Sequence, residues 1–360
     1  MTTRIKHLYL HVPFCRSICY YCDFAHRVFD RKLADRWLDR VEEEISRECH
    51  DDYETIYIGG GTPTALSSVQ SDTLLNMLDP FSSNVIEYTI EVNPESLDEE
   101  KIGIYKKHHI NRISMGIQSS DDEILRSLNR RHTFQDVKDK IAMLRDNGFE
   151  NISGDLMYSL PGQDLEILDK TIDDILSLDL EHISLYSLTI EENSVFGKKG
   201  VKALDEDTEA EMYEHIEKRL KAAGYIHYEV SNYAKKGRES KHNLSYWNYE
   251  DFLGISIGAA SKIGDRRYTN TRSFERYFKD LDDKDEDLVL SKDDREFEHL
   301  MMSLRTIYGL DIGEFNRIYG EDLLKKYEKG VRNPAIRIEN GRLICKDLEI
   351  LNHVLLDFML

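Results

Sequence analysis

The chain has 360 residues, of which 40% are hydrophobic and 32% charged, which suits one large α/β domain or two ordinary ones and excludes a disordered or fibrous protein. Its 68 acidic residues outnumber its 48 basic residues and give a formal net charge of −20, so nucleic acid is not expected as a partner. No apolar run is long enough to span a bilayer, and residues 1–6 lead into the first strand without a signal-peptide core, so we expect a cytoplasmic protein.

The first predicted strand leads into the most distinctive loop of the chain. Apolar and polar residues alternate over residues 7–12, and Pro13 ends the run, which is the pattern of a short strand. Further strands are predicted at 55–58, 88–92, 112–117, 151–158 and 182–188. Helical periodicity predicts helices at 31–49, 67–78, 98–108, 121–128, 133–147 and 165–178. Strands that alternate with helices indicate an α/β fold, and we predict a partial (β/α)6 barrel with its site at the carboxyl ends of the strands.

The alternation is lost in the last third of the chain. A helix at 207–224 and a short strand or turn at 228–233 precede the acidic stretch 279–287, which has the composition of a linker. From residue 291 we predict helices and a hairpin turned at Asn340-Gly341, which together suggest a small C-terminal α+β, winged-helix-like domain. The predicted divisions are a barrel domain at 1–235, a segment with the acidic linker at 236–290 and an accessory domain at 291–360.

Three cysteines, Cys15, Cys19 and Cys22, follow the first strand with C-x3-C-x2-C spacing. A [4Fe–4S] cluster is usually held by four thiolates, so three on one loop would leave one iron open to a small molecule. A structural zinc site completed by His11 or His26 is the alternative, although zinc sites usually pair C-x2-C knuckles and no second knuckle is present. The two remaining cysteines lie in apolar segments and are predicted to be buried thiols.

Polar residues mark the carboxyl ends of the next predicted strands. Residues 59–64 form a glycine-rich turn, typical either of a tight βα connection or of a backbone that approaches a ligand closely. Glu91 lies on the inner face of its strand, where a buried carboxylate needs a partner. Gln118, Arg130 and Asp155 come from successive units and would bring an amide, a guanidinium and a carboxylate to the same end of the barrel. Singly, each is also compatible with an ordinary surface or core polar residue.

Several motifs resemble one known family. They are LYLHVPFC at 8–15, GGGTPT at 59–64, IEVNPE at 90–95, SMGIQS at 114–119 and DLMYSLPG at 155–162. These motifs are similar to those of the oxygen-independent coproporphyrinogen III dehydrogenase family, within the radical S-adenosylmethionine (SAM) superfamily. A further motif, HNLSYW at 242–247, resembles the haem-chaperone branch of that family. The resemblance extends from residue 8 to residue 261 and continues more weakly into the C-terminal domain.

The resemblance implies a radical-SAM barrel with defined ligands. Cys15, Cys19 and Cys22 would hold a [4Fe–4S] cluster, and SAM would bind the open iron through its amino and carboxylate groups. In relatives that cleave SAM, an electron from the reduced cluster yields methionine and a 5′-deoxyadenosyl radical. The residues expected to contact SAM are Tyr9, Gly60, Gly61, Thr62, Glu91, Gln118, Arg130 and Asp155.

The chaperone branch implies haem as a further ligand. It also implies acceptor haem proteins as partners, among them membrane-bound respiratory enzymes, and an electron donor for the cluster. The expected localisation is then the cytoplasm, with peripheral membrane contact through an acceptor. His242 is predicted to ligate haem beside Tyr246 and Trp247, which could stack on a porphyrin, whereas a histidine packed in an aromatic cluster is the alternative.

Two departures from the family pattern bear on function. The dehydrogenase carries a further cysteine two residues after the third cluster cysteine, where this chain has Phe24. The resemblance therefore favours a haem chaperone over an enzyme that decarboxylates coproporphyrinogen III to protoporphyrinogen IX. The family usually has glycine, proline and histidine where Ser256, Ile257 and Ala260 stand. A zinc-stabilised interaction protein is the alternative outside the family.

Overall fold

One large sheet of 12 strands dominates the fold, seen in a computed structural model that describes residues 4–50 and 52–359. The strands, numbered along the chain, are β1 (His7–Val12), β2 (Phe14–Cys15), β3 (Arg27–Val28), β4 (Thr55–Gly60), β5 (Glu87–Val92), β6 (Arg112–Gln118), β7 (Ile152–Tyr158), β8 (His182–Ser187), β9 (Ile226–Glu229), β10 (Asn232–Ala234), β11 (Phe252–Ile255), β12 (Ala260–Ile263), β13 (Arg266–Asn270), β14 (Lys284–Val289), β15 (Leu310–Asp311), β16 (Ile336–Glu339) and β17 (Arg342–Cys345).

Helices connect most of these strands. They are α1 (Arg31–Glu48), α2 (Ser68–Leu78), α3 (Glu99–Lys107), α4 (Asp122–Ser127), α5 (Phe134–Asp146), α6 (Leu165–Leu176), α7 (Val195–Lys198), α8 (Glu206–Ala222), α9 (Lys241–Trp247), α10 (Phe274–Lys279), α11 (Lys292–Ser303), α12 (Ile312–Tyr319), α13 (Leu323–Lys326), α14 (Glu328–Val331) and α15 (Leu351–Leu355).

The six predicted strands form the middle of the sheet, in the order β1-β4-β5-β6-β7-β8. Each pairs in parallel with the next, as strands joined by crossover helices must. Apolar side chains on one face, such as Leu8, Ile58 and Ile113, are fully buried in a core that includes Trp37 of α1. The opposite face is polar, because the alternation of side chains along each strand turns the remaining residues inward. The predicted open α/β barrel is confirmed.

The sheet extends beyond both edges of this parallel core. On one side β11 pairs in parallel with β1, and β12, β13 and β14 follow in antiparallel order. On the other side β10 pairs antiparallel with β8, and β9 pairs with β10. The return of the chain to β1 could not be predicted from local patterns, because the pairing joins residues 245 positions apart, such as His7 and Phe252, and leaves no local periodic signal.

The acidic stretch 279–287 is not a linker, and that prediction was wrong. Its second half belongs to β14, the edge strand of the sheet. Its carboxylates pair with arginines of neighbouring elements: Asp287 lies 2.8 Å from Arg266, and Asp285 lies 2.6 Å from Arg276. The charge run is therefore balanced by tertiary contacts that its own composition does not show. The domain boundaries at 235 and 290 stay predictions.

The C-terminal unit has its own core and a three-stranded antiparallel sheet, β15-β17-β16. The predicted hairpin is confirmed: Asn340 and Gly341 both have positive φ, 50° and 77°, as a type I′ turn between β16 and β17 requires. The unit joins the large sheet through backbone bonds, such as the Val230 N–H to the Arg305 carbonyl at 3.2 Å. Across residues 4–50 and 52–359, none of the helices has the length and apolar character to cross a membrane.

Glu229 lies at this junction and is fully buried. Its carboxylate accepts hydrogen bonds from the Ser231 backbone N–H at 3.2 Å and from the Asn232 side-chain amide. Burial nevertheless raises the pKa of Glu229 to about 7 from its usual value of 4.5. The folded protein therefore holds this proton more tightly than the unfolded chain does.

We predict that Glu229→Gln changes the pH dependence of folding stability. The wild-type contribution of Glu229 is fully present below pH 4.5 and is lost as the pH rises through about 7, because the ionised carboxylate is disfavoured only in the folded state. Urea unfolding from about pH 5 to about pH 7.5 should show the wild type losing more stability than Glu229→Gln. The exposed Glu99, changed to Gln, is the control. Parallel curves for wild type and Glu229→Gln would refute the assignment.

Candidate metal centre and cofactor site

The cysteine loop leaves the carboxyl end of β1 and is closed at its base by a short ribbon. Strands β2 and β3 pair in parallel, and the Phe29 N–H bonds the Cys15 carbonyl at 2.9 Å. Cys15 is buried on β2, whereas Cys19 and Cys22 are partly exposed on the loop between the two strands. The ribbon thus fixes the ends of a loop that presents its thiols at the mouth of the barrel.

Each of the three thiols has a polar neighbour. The Thr62 hydroxyl donates to Cys15 Sγ at 3.6 Å, and Arg130 Nη1 donates to Cys19 Sγ at 3.5 Å. Cys22 Sγ lies 3.6 Å from His26 Nδ1. The Thr62 hydrogen bond lowers the pKa of Cys15 and so favours its thiolate, whereas the role of the His26 nitrogen depends on its tautomer.

Burial acts in the opposite direction. It raises the pKa of Cys15 to about 12 and that of Cys22 to about 11. Thiolates at these positions therefore need a positively charged centre close to the sulfurs, which iron supplies. A set of three thiols with hydrogen-bond donors already in place fits the three protein ligands of an iron–sulfur cluster. Among the described residues no group of three or more His, Cys, Asp or Glu side chains is arranged to hold a metal ion, and this applies to the cluster and to the zinc alternative alike.

The glycine loop after β4 packs directly against the cysteine loop. A β-carbon on Gly61 would lie 3.0 Å from Cys15 Sγ, and one on Gly60 would lie 2.5 Å from His11 Nδ1. Gly60 also has a φ of 111°, which a side chain would strain. The absence of side chains here lets the loop backbone pack against the cysteine loop.

Glu91 lies beside this loop on the inner face of β5. Its carboxylate accepts a hydrogen bond from the Tyr57 hydroxyl at 2.8 Å and one from the Gly60 N–H at 3.0 Å. Burial, and then the charge of Asp155, raise the pKa of Glu91 to about 7. Burial also raises the pKa of Asp155, which accepts from the Ser114 hydroxyl at 3.2 Å. These two carboxylates on the inner face of the sheet can accept more hydrogen bonds than the protein donors above provide, which suits a ligand with hydroxyl or ammonium groups.

Gly116 of β6 is the meeting point of three further polar side chains. A β-carbon there would lie 2.9 Å from Asn93 Oδ1, 3.0 Å from Arg130 Nη2 and 3.1 Å from Gln118 Nε2. Arg130 Nη2 donates to Asn93 Oδ1 at 2.9 Å and to the Gly116 carbonyl at 2.6 Å. The guanidinium therefore links the middle of the barrel to Cys19.

The structure brings most of the predicted site residues to one end of the barrel. The contacts above connect Cys15, Cys19, Cys22, Gly60, Gly61, Thr62, Glu91, Gln118, Arg130 and Asp155. Tyr9 joins them through His11: its hydroxyl lies 3.0 Å from His11 Nδ1, the atom next to Gly60. The roles assigned to these residues stay predictions, although their proximity is what those roles require.

Sequence reasoning missed three residues of this cavity. Tyr57 and Asn93 contact the predicted residues directly. Arg112 is buried, with its Nε unpaired among the described residues, and its charge acts on Glu91 and Asp155. Tyr57 and Arg112 occupy inward-facing positions of β4 and β6, and Asn93 continues the same alternation one residue beyond β5, so the strand alternation could have identified them.

His242 lies in α9 toward the amino ends of the strands, with its ring centroid 5.2 Å from that of Tyr57. It is 1% exposed, and its two ring nitrogens lie 2.7 Å from the Thr55 and Tyr246 hydroxyls. Its backbone N–H donates to Glu87 at 2.9 Å. These contacts match the alternative interpretation, in which the histidine packs in an aromatic cluster. If His242 were to ligate iron, one of the two ring hydrogen bonds would have to break. The haem-ligand role of His242 stays a prediction.

The loop that departs from the family pattern is buried against α1. Ser256 has a φ of 85°, accepts a hydrogen bond from Trp37 Nε1 at 2.8 Å and donates its backbone N–H to the buried Glu44 at 3.0 Å. Ile257 is fully buried. The serine hydroxyl thus bonds the tryptophan of α1 in a backbone conformation that glycine would adopt more easily.

Known proteins match this chain along most of its length. The family model for the radical SAM superfamily matches residues 9–175. A protein of Bacillus subtilis named heme chaperone HemW is 39% identical over 335 residues, covering 89% of this chain and 88% of the relative. The heme chaperone HemW of Lactococcus lactis is 36% identical over 98% of this chain and 97% of its own, and that of Escherichia coli is 34% identical over 71% and 70%.

A solved structure shares the fold. Coproporphyrinogen III oxidase (HemN) of Escherichia coli, described as a radical SAM enzyme, has a TM-score of 0.86 and covers 99% of this chain and 90% of its own, at 20% identity. Identity this low supports a common fold alone. The superfamily implies a [4Fe–4S] cluster and SAM as cofactors. From the three relatives and the superfamily match, this chain belongs to the HemW heme chaperone family of the radical SAM superfamily.

Proposed function

We propose that this protein is a haem chaperone that carries a [4Fe–4S] cluster, binds SAM and haem, and transfers haem to acceptor haem proteins. The observation that carries the proposal is the similarity, over 89% and 98% of the chain, to two proteins named heme chaperone. Membership of the HemW family follows from the same similarity. Haem as the cargo, the roles of the residues and the identity of the acceptor proteins are what we propose.

Cys15, Cys19 and Cys22 are the proposed cluster ligands. Their support is the set of donors around the sulfurs, from Thr62, Arg130 and His26. When bound, the cluster supplies one-electron chemistry and an iron open to the amino and carboxylate groups of SAM. The protein holds three thiolates in place and keeps Arg130 beside them to balance their negative charge.

The cavity beyond the cysteine loop is the proposed SAM site. Gly60 and Gly61 bring the loop backbone against His11 and Cys15. Glu91 and Asp155 offer acceptors for ammonium or hydroxyl groups, and Arg130 offers a guanidinium to a carboxylate. Tyr9, Thr62 and Gln118 complete the proposed set. The unpaired Nε of Arg130, buried with no partner among the described residues, supports a missing acceptor at this position.

Phe24 favours the chaperone over the dehydrogenase. The dehydrogenase has a further cysteine at this position, and a phenylalanine can neither transfer a proton nor donate a hydrogen bond. The similarity to coproporphyrinogen III oxidase is a similarity of fold. It does not change the fact that this chain has Phe24 where the dehydrogenase has a cysteine.

The proposed partners are haem, acceptor haem proteins that include membrane-bound respiratory enzymes, and an electron donor for the cluster. A cavity of about 520 Å³ beside the cysteine loop supports an acidic donor, since four basic side chains outnumber two acidic ones among its lining residues: Arg16, Lys101, Arg131, Lys140, Glu95 and Asp98. The proposed place of action is the cytoplasm, with membrane contact through an acceptor.

Replacing any one cluster cysteine by alanine should abolish the cluster. Two thiolates cannot hold a cubane that already lacks a fourth protein ligand. Iron and sulfide in the anaerobically reconstituted variants Cys15→Ala, Cys19→Ala and Cys22→Ala should fall to background. Cys49→Ala, which removes a buried thiol of the α1 end, should retain both. Full iron content in a cluster-loop variant would contradict the ligand assignment.

Glu91→Gln and Asp155→Asn should weaken SAM binding and leave the iron content unchanged. Each change removes a charge-assisted hydrogen bond of about 1.5–3 kcal/mol, so the dissociation constant should rise about ten- to a hundred-fold. Calorimetric titration of the reconstituted protein measures this. Glu87→Gln is the matched control, because Glu87 lies on the same face of the same strand but at its other end, bonded to α9. Unchanged SAM affinity in both site variants would remove these residues from the site.

The reconstituted protein should bind haem without converting coproporphyrinogen III. Haem binding is measured by haem titration followed by absorption. Conversion is measured in the same preparation, by chromatography after incubation with coproporphyrinogen III, SAM and a reductant. Sustained formation of protoporphyrinogen IX would favour the dehydrogenase instead. A protein that does not bind haem would refute the chaperone function.

A further inference from the structure

We propose that haem docks on the segment of residues 24–28, with His26 as its iron ligand. This site rests on the proposed haem-chaperone function and deepens it, since it names the surface that takes the cargo. The segment follows Cys22, ends in β3 and lies at the mouth of the barrel.

The segment exposes two apolar side chains. Phe24 is 68% exposed and Val28 is 55% exposed. Their neighbours in the same ribbon do pack inward: Phe14 is fully buried, and its ring lies 6.1 Å from that of Phe29. Two exposed apolar groups within five residues, next to a functional site, provide a surface for a flat apolar ligand.

His26 carries the metal-binding group of this surface. Its Nδ1 lies 3.6 Å from Cys22 Sγ, and the ring is neither buried nor fully exposed. The ring is also held by a hydrogen bond to the backbone of Phe24. A histidine that the protein holds through one ring nitrogen can offer the other to a haem iron.

The ring nitrogens of two other histidines near the barrel are both within hydrogen-bonding distance of protein oxygens. His11 lies 3.0 Å from the Tyr9 hydroxyl through Nδ1 and 2.8 Å from the Ala25 carbonyl through Nε2. Both nitrogens of His242 are also within hydrogen-bonding distance of hydroxyl groups, at the opposite end of the strands. Of these three histidines, His26 is the one that is partly exposed at this surface, whereas His11 and His242 are buried, so His26 is the imidazole that can meet an iron there.

Two arginines supply the charge that haem propionates need. Arg27 and Arg272 are exposed, and neither forms an ion pair with a carboxylate in the described part of the chain. The Arg27 guanidinium lies over the Phe274 ring at 5.1 Å. A β-carbon on Gly258 would lie 2.8 Å from Ala25 Cβ and 3.6 Å from Arg272 Cγ, so the 258 loop brings Arg272 next to the segment.

Unpaired arginines are informative in this chain, because its 68 acidic residues outnumber 48 basic ones. Many other surface arginines, such as Arg266 and Arg276, pair with carboxylates. An apolar surface, one available imidazole and two unpaired guanidinium groups match the three features of haem: the ring, the iron and the two carboxylates. Asp23 borders the surface, so the propionates are expected on the side of Arg27 and Arg272.

The test compares two histidine variants in the anaerobically reconstituted full-length protein, with iron content measured first. Haem titration of His26→Ala should show a shifted Soret band and a dissociation constant raised by about tenfold or more. Added imidazole should restore the wild-type spectrum, which a structural role would not allow. His242→Ala should keep the wild-type Soret position.

Variants without the histidine change test the rest of the surface and avoid any effect on Cys22. Phe24→Ser, Arg27→Gln and Arg272→Gln should each weaken haem binding, the arginine changes by about two- to fivefold at exposed positions. Arg131→Gln, which removes an arginine from the basic cavity on the other side of the loop, is the control and should bind as the wild type does.

The outcomes separate the site from the function. If the wild type binds haem and the variants of residues 24, 26, 27 and 272 bind it unchanged, the site is wrong and the chaperone function stands; a protein-docking surface would give this result. If His242→Ala shifts the Soret band and His26→Ala does not, the ligand is His242. If the wild type binds no haem, the proposed function fails together with the site.

Discussion

The burial of ionisable side chains inside the sheet is the constraint on which this structure depends. Parallel strands with helices on one face turn their polar residues toward the other face, and here that face carries Glu87, Glu91, Arg112 and Asp155. A buried charge is costly unless it is paired and hydrogen-bonded. Each group must therefore find its partner in the protein or in a ligand.

The two ends of the strands meet this requirement differently. At the amino ends, the Glu87 carboxylate accepts the Lys241 and His242 backbone N–H groups of α9, both at 2.9 Å, so the protein satisfies this carboxylate. At the carboxyl ends, burial holds the pKa of Glu91 at about 7, and the Arg130 Nε has no partner in the described structure. Of these two carboxylates, Glu91 is therefore the one suited to a ligand, and it lies at the end of the strands that carries the cysteine loop.

Much of this could be predicted from the sequence. The six central strands and their helices have clear periodicity, and the C-x3-C-x2-C loop with the glycine turn one strand later indicated the cluster and its cofactor. The prediction failed where the partners of a segment lie on neighbouring elements outside it. The acidic stretch 279–287 resembled a linker because the arginines that balance it lie on β13 and α10.

His242 also shows that a local motif does not reveal where the fold places it. Its motif has tyrosine and tryptophan on the same helix, which suggested a haem surface. The crossover from β10 through α9 to β11, however, carries this helix to the amino ends of the strands. For Phe24 the structure adds to what the sequence indicated. In the sequence it stands where the dehydrogenase has a cysteine, and in the structure its side chain is exposed at the mouth of the barrel. Exposure depends on the packing of the whole ribbon, which no local pattern reports.

Haem transfer is the measurement that tests the central claim most directly. The haem-loaded protein is mixed with a haem-depleted respiratory enzyme, and apomyoglobin as a scavenger measures passive release in a parallel sample. A chaperone should load the enzyme with chemically unchanged haem faster than passive release, at a rate that rises with enzyme concentration. Loading no faster than release to the scavenger, or porphyrin altered during the reaction, would contradict the account.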